Sequence, residues 1–143
     1  MHREEQILAA AASLVAAGTT GAAVYQHRPI DIPETVELAV DCRIGPAAVV
    51  STSSSSIEWE LDLATVLHAR TAATDLVGAV LDLAEDVHAA LLAGARNLGL
   101  DSVSVVRPAG HGELLTMGDD LPTAELRLDW IVTYCSSRSS VAV

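Results

Sequence analysis

The chain reads as an α+β fold: a mainly antiparallel sheet built around a long β-hairpin, with two helices packed on one face. Three observations predict it. Residues 57–70, IEWELDLATVLHAR, alternate almost without fault, with Ile57, Trp59, Leu61, Leu63, Thr65 and Leu67 on one side. Glu58, Glu60, Asp62 and His68 fall on the other, and a period of two marks a half-buried strand. Residues 36–44 and 124–135 alternate in the same way, whereas 3–17 and 73–97 space their apolar residues at helical period. A length of 143 residues fits one domain, 1–143, large enough to bury a core without metals or disulfides.

The first element is a helix over 3–17. Glu4 and Glu5 sit in its first turn, where carboxylates favour the positive end of the helix dipole. Ile7, Leu8, Leu14 and Val15 share a stripe, and Gly18 offers a stop. A short strand follows at 22–25, and Pro29 and Pro33 then impose extended backbone. In strand 36–44 Val36, Leu38, Val40, Cys42 and Ile44 face inward, and Glu37, Asp41 and Arg43 outward. Gly45 and Pro46 are expected to end it. The segment 45–56 holds an apolar patch and a serine run, and is read as the mobile tip of the hairpin.

Strand 57–70 is long enough to be central. In helix 73–97, Leu76, Val80, Leu83, Val87 and Leu91 step along a single face, and Asn97, Leu98 and Gly99 signal its cap. A short strand at 102–107, a polar connector over 108–122 with a short strand at 113–117, and a last strand at 124–135 complete the sheet. In the last strand Leu126, Leu128, Trp130, Val132 and Tyr134 face inward. Trp59 and Trp130 are both expected to be buried. The tail 136–143 lacks a period and is read as frayed.

Composition narrows the function. Lysine is absent, which excludes lysine Schiff-base chemistry. The formal net charge of −11 opposes a phosphate-gripping surface and suits solubility or a basic protein partner. Cys42 and Cys135 are expected to be free thiols in a reducing cytosol. The first residues do not read as a signal peptide, and no stretch is long and apolar enough to span a bilayer.

Candidate chemistry is sparse. Glu85 and His88 stand three apart on a helix, a spacing that a solvated helix face also produces. Asp119 and Asp120 follow Gly118 in a turn, where acidic residues commonly do no more than initiate the turn. Gly110, His111 and Gly112 lack the flanking strand and helix of a phosphate loop. The serine run has no nucleophile elbow and no fixed base. Glu58, Glu60 and Asp62 are spaced about 6.5–7 Å apart by the strand rise, which overlaps an acid/base pair but is what any acidic strand gives. No metal and no catalytic residue is assigned.

Taken whole, the chain resembles the tail terminator proteins of long-tailed bacteriophages, the family of the lambda minor tail protein U. The likeness lies in order and texture. An opening helix REEQILAAAASLVAAG leads through VYQHRP and IDIPETVELAVD into the first long strand. A low-complexity hairpin tip, the strand IEWELDLATVLHAR, the helix DLAEDVHAALLAGARNLGL and a strand ending LDWIVTY follow, so that residues 1 to 135 are covered. The resemblance implies a non-enzymatic ring, usually a hexamer. Such a ring caps the tail tube, ends polymerisation of the tube protein and presents a surface to the head–tail connector protein. Its place would be the head-proximal end of the virion tail, reached from the host cytoplasm. The serine-rich tip and few aromatics depart from the pattern, and no individual contact residue carries over.

From the residues themselves, two candidate contacts with a neighbouring subunit or the tube stand out. One is the apolar tip Ala47, Ala48, Val49 and Val50. The other is the edge carrying Ser102, Val103, Val105 and Arg107, whose backbone groups a neighbour could pair. The acidic face of Glu58, Glu60 and Asp62 would let DNA pass through a ring without sequence-specific binding. No cofactor is expected, divalent cations entering only as an influence on ring assembly, and no membrane partner. Two other classes fit the same residues: a head–tail connector or neck protein, and a small acidic module that neutralises a basic protein, as immunity proteins do.

Overall fold

A mostly antiparallel sheet of six strands carries two helices on one face, in the order α1 (Arg3–Gly18), β1 (Ala23–Gln26), β2 (Leu38–Thr52), β3 (Ser56–Arg70), α2 (Leu76–Ala93), β4 (Val103–His111), β5 (Leu115–Met117) and β6 (Thr123–Ser137). The computed structural model describes residues 2–19, 21–28, 32, 35–70, 75–93, 97–117 and 122–137. The strands lie side by side as β1-β2-β3-β6-β4, with β5 on β6 below β4. The fold is therefore the expected α+β class, with one parallel pair, β1 on β2.

The alternation of β3 places it centrally. Its whole length pairs antiparallel with β6, from Ser56 opposite Ser137 to Arg70 opposite Thr123. Its other edge pairs with β2 over nearly the same span. Leu61, Leu63, Thr65 and Leu67 of β3 and Leu126, Leu128, Trp130, Val132 and Tyr134 of β6 all point to the helical side and are buried. Helix α1 lies over β1 and β2, and α2 over β3 and β6. Ile7, Leu8, Ala11, Ala12 and Val15 from α1 meet Val80, Leu83, Ala84, Val87 and Leu91 from α2 in one apolar cluster with the sheet. Gly18 does more than stop α1. A Cβ there would lie 2.5 Å from the Cβ of Ala90, so the missing side chain lets the two helices touch.

Several local readings change. Gly45 and Pro46 do not end β2, which runs on to Thr52. The register slips by one residue between Ile44 and Ala47 and again between Val49 and Ser51, so two bulges absorb the proline and keep the pairing with β3 intact. Beyond Cys42 this part of β2 has β3 on one side and no described strand on the other, which is where a proline is tolerated in a sheet. The expected loop 45–56 therefore reduces to the turn at Ser53, Ser54 and Ser55. There the Ser53 hydroxyl accepts from the backbone N–H groups of Ser55 and Ser56 at 3.3 and 3.1 Å. Likewise Pro108 does not end β4, which carries single-residue bulges at Ser104 and Ala109.

The expected frayed tail begins too early. Ser136 and Ser137 belong to β6, and Ser136 is buried. Its hydroxyl accepts a hydrogen bond from the Trp59 indole N–H at 2.9 Å. Residues 138–143, Asp119 and Asp120 lie outside the described residues.

Asp41, expected to face water, is buried on the sheet face away from the helices. Its carboxylate accepts from the Arg43 guanidinium at 2.8 Å and the Arg28 backbone N–H at 3.1 Å. Arg43 in turn donates to the Arg28 carbonyl, and Arg70 donates to the carbonyl of Ile32. These bonds hold Arg28 and Ile32 to the outer face. A buried carboxylate is tolerable there because its charge is paired and hydrogen-bonded.

The two tryptophans are not equivalent. Trp130 is 1% exposed, donates to Thr65 at 3.2 Å and packs under His88, with ring centroids 4.9 Å apart. Trp59 is only half-buried, stacked on Tyr134 at 6.3 Å. Replacing Trp130 with Ala should cost about 3–5 kcal/mol, as for a large buried aromatic. Trp59→Ala should cost distinctly less. Urea unfolding of both variants checks the order, and equal losses would refute the difference in burial.

Candidate interaction surface

The two contact regions read from the sequence lie at opposite edges of the sheet. Ala47, Ala48, Val49 and Val50 occupy the free half of β2, and Ser102, Val105 and Arg107 belong to the β4 side. Along β2, Ala47 and Val49 face the helical side opposite Leu61 and Trp59, and Ala48 faces outward opposite Glu60. Val50 is the extra residue of the second bulge. Val49 and Val50 are 52% and 50% exposed, the highest values among the exposed large apolar side chains described. From Ile44 to Ile57 the chain carries no acidic or basic residue at all.

On the other edge the four residues do not share one face. Val103 is buried against the core and cannot serve as a contact, because it pairs with Tyr134 on the helical side. Val105 and Arg107 face outward beside Thr133 and Ile131. Strand addition on β4 is hindered by its two bulges and by Pro108, which lacks an N–H. Pro46 and two bulges do the same for β2. Both edges are thus open yet poorly shaped for backbone pairing.

The outer face is less acidic than strand β3 alone suggests. Glu58, Glu60 and Asp62 do point outward, but a base from β4 lies beside Glu60, and bases on β6 and β3 lie beside other outward acids. Arg107 reaches Glu60 at 3.8 Å, Arg127 pairs with Asp129 at 2.8 Å, and His68 lies 3.5 Å from Glu125. Exposed pairs of this kind contribute little stability, but they cancel local field. Burial pulls the His68 pKa below its usual value, the nearby Glu125 opposing this. An unbroken acidic strip is therefore absent among the described residues. Strong exposed acidity lies instead on α2, whose Asp82, Glu85 and Asp86 have no arginine on the same helix.

Sequence reasoning missed a second apolar row on α2. Val77, Leu81 and Leu92 are 41%, 48% and 44% exposed. With His88 they fall at offsets of four, seven and four, which places them on one helix face. The spacing was legible in the sequence, but the stronger row through Val80, Leu83, Val87 and Leu91 overlaps it. His88 belongs to this row and packs on Trp130. The Glu85 and His88 pair therefore gives way to a packing role for the histidine. Among the described residues no group of three or more His, Cys, Asp or Glu is placed to hold a metal. No described helix is long and apolar enough to cross a membrane.

An open cleft of about 380 Å³ lies at the tip end, between the first turn of α1, the serine turn and the ends of β3 and β6. Arg3, Asp101, Ser102, Cys135 and Ser136 line it. These residues come from separate segments, so no sequence spacing announces the cleft. Nearby, burial pushes the pKa of the Tyr134 hydroxyl up to about 12, with the charge and hydrogen bonding of Glu4 adding.

No family model matches this chain, and no curated protein matches it. Among solved structures, one whose name describes no function matches at a TM-score of 0.43 and 17% identity, covering 90% of this chain and 94% of that chain.

Both thiols are free. Burial, with the charge of Asp41 adding, raises the Cys42 pKa from 9.0 to about 12. Its unfolded form releases a proton above pH 9 and its folded form does not, so folding stability should fall as pH climbs from 9 toward 12. Tyr134 acts in the same direction above pH 10. Thermal unfolding across this range should show Tm falling with pH, less steeply in Cys42→Ala. A pH-independent Tm would contradict the burial of both groups. Alkylation of the native protein near pH 8 should label the partly exposed Cys135 and spare Cys42.

Proposed function

We propose that this protein is a structural component of a long-tailed bacteriophage, a ring of identical copies, most simply a hexamer, that caps the tail tube. In this role it ends polymerisation of the tube protein and offers the joining surface for the head–tail connector. The observation that carries the reading is an exposed, uncharged, apolar tip on a molecule of net charge −11. Such a surface is where like-charged copies can meet. The sequence-wide resemblance to tail terminators supplies the identity of the assembly.

The same charge controls when assembly occurs. Six copies at −11 each would total roughly −66, and like charge opposes association most strongly at low salt. The protein should be largely monomeric in dilute buffer. Rings should grow as concentration, salt or magnesium rises, and a tube end should favour them by acting as a template. The mixed charges of the outer face, Arg107 on Glu60 and Arg127 on Asp129, make a surface that neither grips nor strongly repels DNA.

A rival reading has one observation in its favour: the exposed acids of α2, Asp82, Glu85 and Asp86, suit a monomer that neutralises a basic protein. Native mass spectrometry over a salt and magnesium series, together with tail lengths in a phage lacking the gene, separates the two. Over-long or unjoined tails and salt-promoted rings are the expected results. Tails of normal, capped length would defeat the terminator role.

A further inference from the structure

Two exposed apolar patches have no partner among the described residues. The first is the tip, Val49 and Val50, on the β2 edge. The second is the α2 flank, Val77 and Leu81 with Leu92 beyond them. The direction of this flank follows from its neighbours. Ala90, on the far side of α2, meets Gly18 of α1. His88, in the same row as Leu81, lies on Trp130 of β6, the strand that pairs with β4. The row therefore faces the β4 edge. Two helices about 10 Å apart span roughly four strands at their usual spacing. Neither helix reaches the last part of β4 on the helical side among the described residues, and Pro108 and His111 are exposed there. The result is an apolar step between α2 and β4.

We infer that the tip of one copy docks into this step on the next copy, Val49 and Val50 packing on Val77 and Leu81. The inference rests on the self-associating function proposed above and specifies its joint. Three observations select a second copy as the occupant. The tip and the step lie at opposite edges of the sheet, so one molecule cannot satisfy both itself, while a head-to-tail neighbour can. The tip brings no charge of its own toward the acids of α2, Asp82 and Glu85, so a neighbour of the same net charge can approach there. The bulges and prolines of β2 and β4 hinder joining by strand addition, leaving side-chain packing as the means.

A complementation experiment tests the joint. Val50→Asp spoils the tip and leaves the step intact; Leu81→Asp does the converse. Both positions are about half exposed, so neither variant should lose Tm as a monomer. At a concentration, salt and magnesium level where the natural protein forms rings, native mass spectrometry should find each variant alone monomeric, its assembly weakened about tenfold or more. An equal mixture should give one-to-one dimers and nothing larger, because one intact tip meets one intact step. A mixture that stays monomeric, rings from either variant alone, or a natural protein that never associates would overturn the inference. Dimers from the mixture in a protein whose loss leaves tails normal would keep the joint and remove the tail role.

Discussion

The pairing of β3 with β6 is the constraint on which the rest of this structure depends. It joins residues more than fifty positions apart in the chain, and it runs unbroken from Ser56 and Ser137 to Arg70 and Thr123. Its closure cost in chain entropy is offset by what it assembles: two facing rows of buried side chains, with Leu63 beside Trp130 and Leu61 beside Val132. Helix α2 packs on that surface, β2 and β4 attach to its two edges, and α1 packs beside it on β1 and β2. A slip of one residue would turn every one of these side chains to the opposite face. The hydrogen bonds from Trp130 to Thr65 and from Trp59 to Ser136 fix the register at the middle and at the tip.

Irregularity is confined to the outer strands. The central pair has no bulge, whereas β2 and β4 carry two each and one proline each. The division has a physical reason, since a strand held on both sides must match two ladders and an edge strand only one. It also has a consequence for association. Blunted edges discourage sheet-to-sheet aggregation of a half-apolar chain, and they direct any specific contact to side chains. The charge distribution points the same way. Arginines reach into the outer face and neutralise much of it, acids remain on α2, and the tip stays neutral.

Much of this was legible in the sequence wherever one interaction dominated. The period of 57–70 located the central strand, and the rows on α1 and α2 located both helices. The misreadings share a cause, which is that a local signal was outweighed by pairing distant in sequence. Gly45 and Pro46 look like a terminator, yet β3 holds its partner through a bulge. Ser136 looks like tail, yet it meets Trp59 seventy-seven residues away. Asp41 alternates outward, yet it is buried, bonded to Arg28 and Arg43. For the candidate surface, the tip residues stand out in the sequence because they are apolar beside a serine run, and the structure leaves Val49 and Val50 exposed. Val103 was misassigned because an edge strand still has an inward side, and the α2 row was overlooked because the core row runs beside it.

The central claim is that the sheet is one continuous unit that extends through its tip and presents Val49 and Val50 on a fixed frame. Amide hydrogen exchange of the monomer, resolved residue by residue, tests this most directly. Amides of β3 and β6 that are bonded in the ladder should be protected from the core through to Glu58 and Cys135, with free exchange confined to Ser54 and Ser55 at the turn. Protection that stops near Leu63 and Trp130, with everything beyond exchanging as fast as the serine turn, would contradict the account.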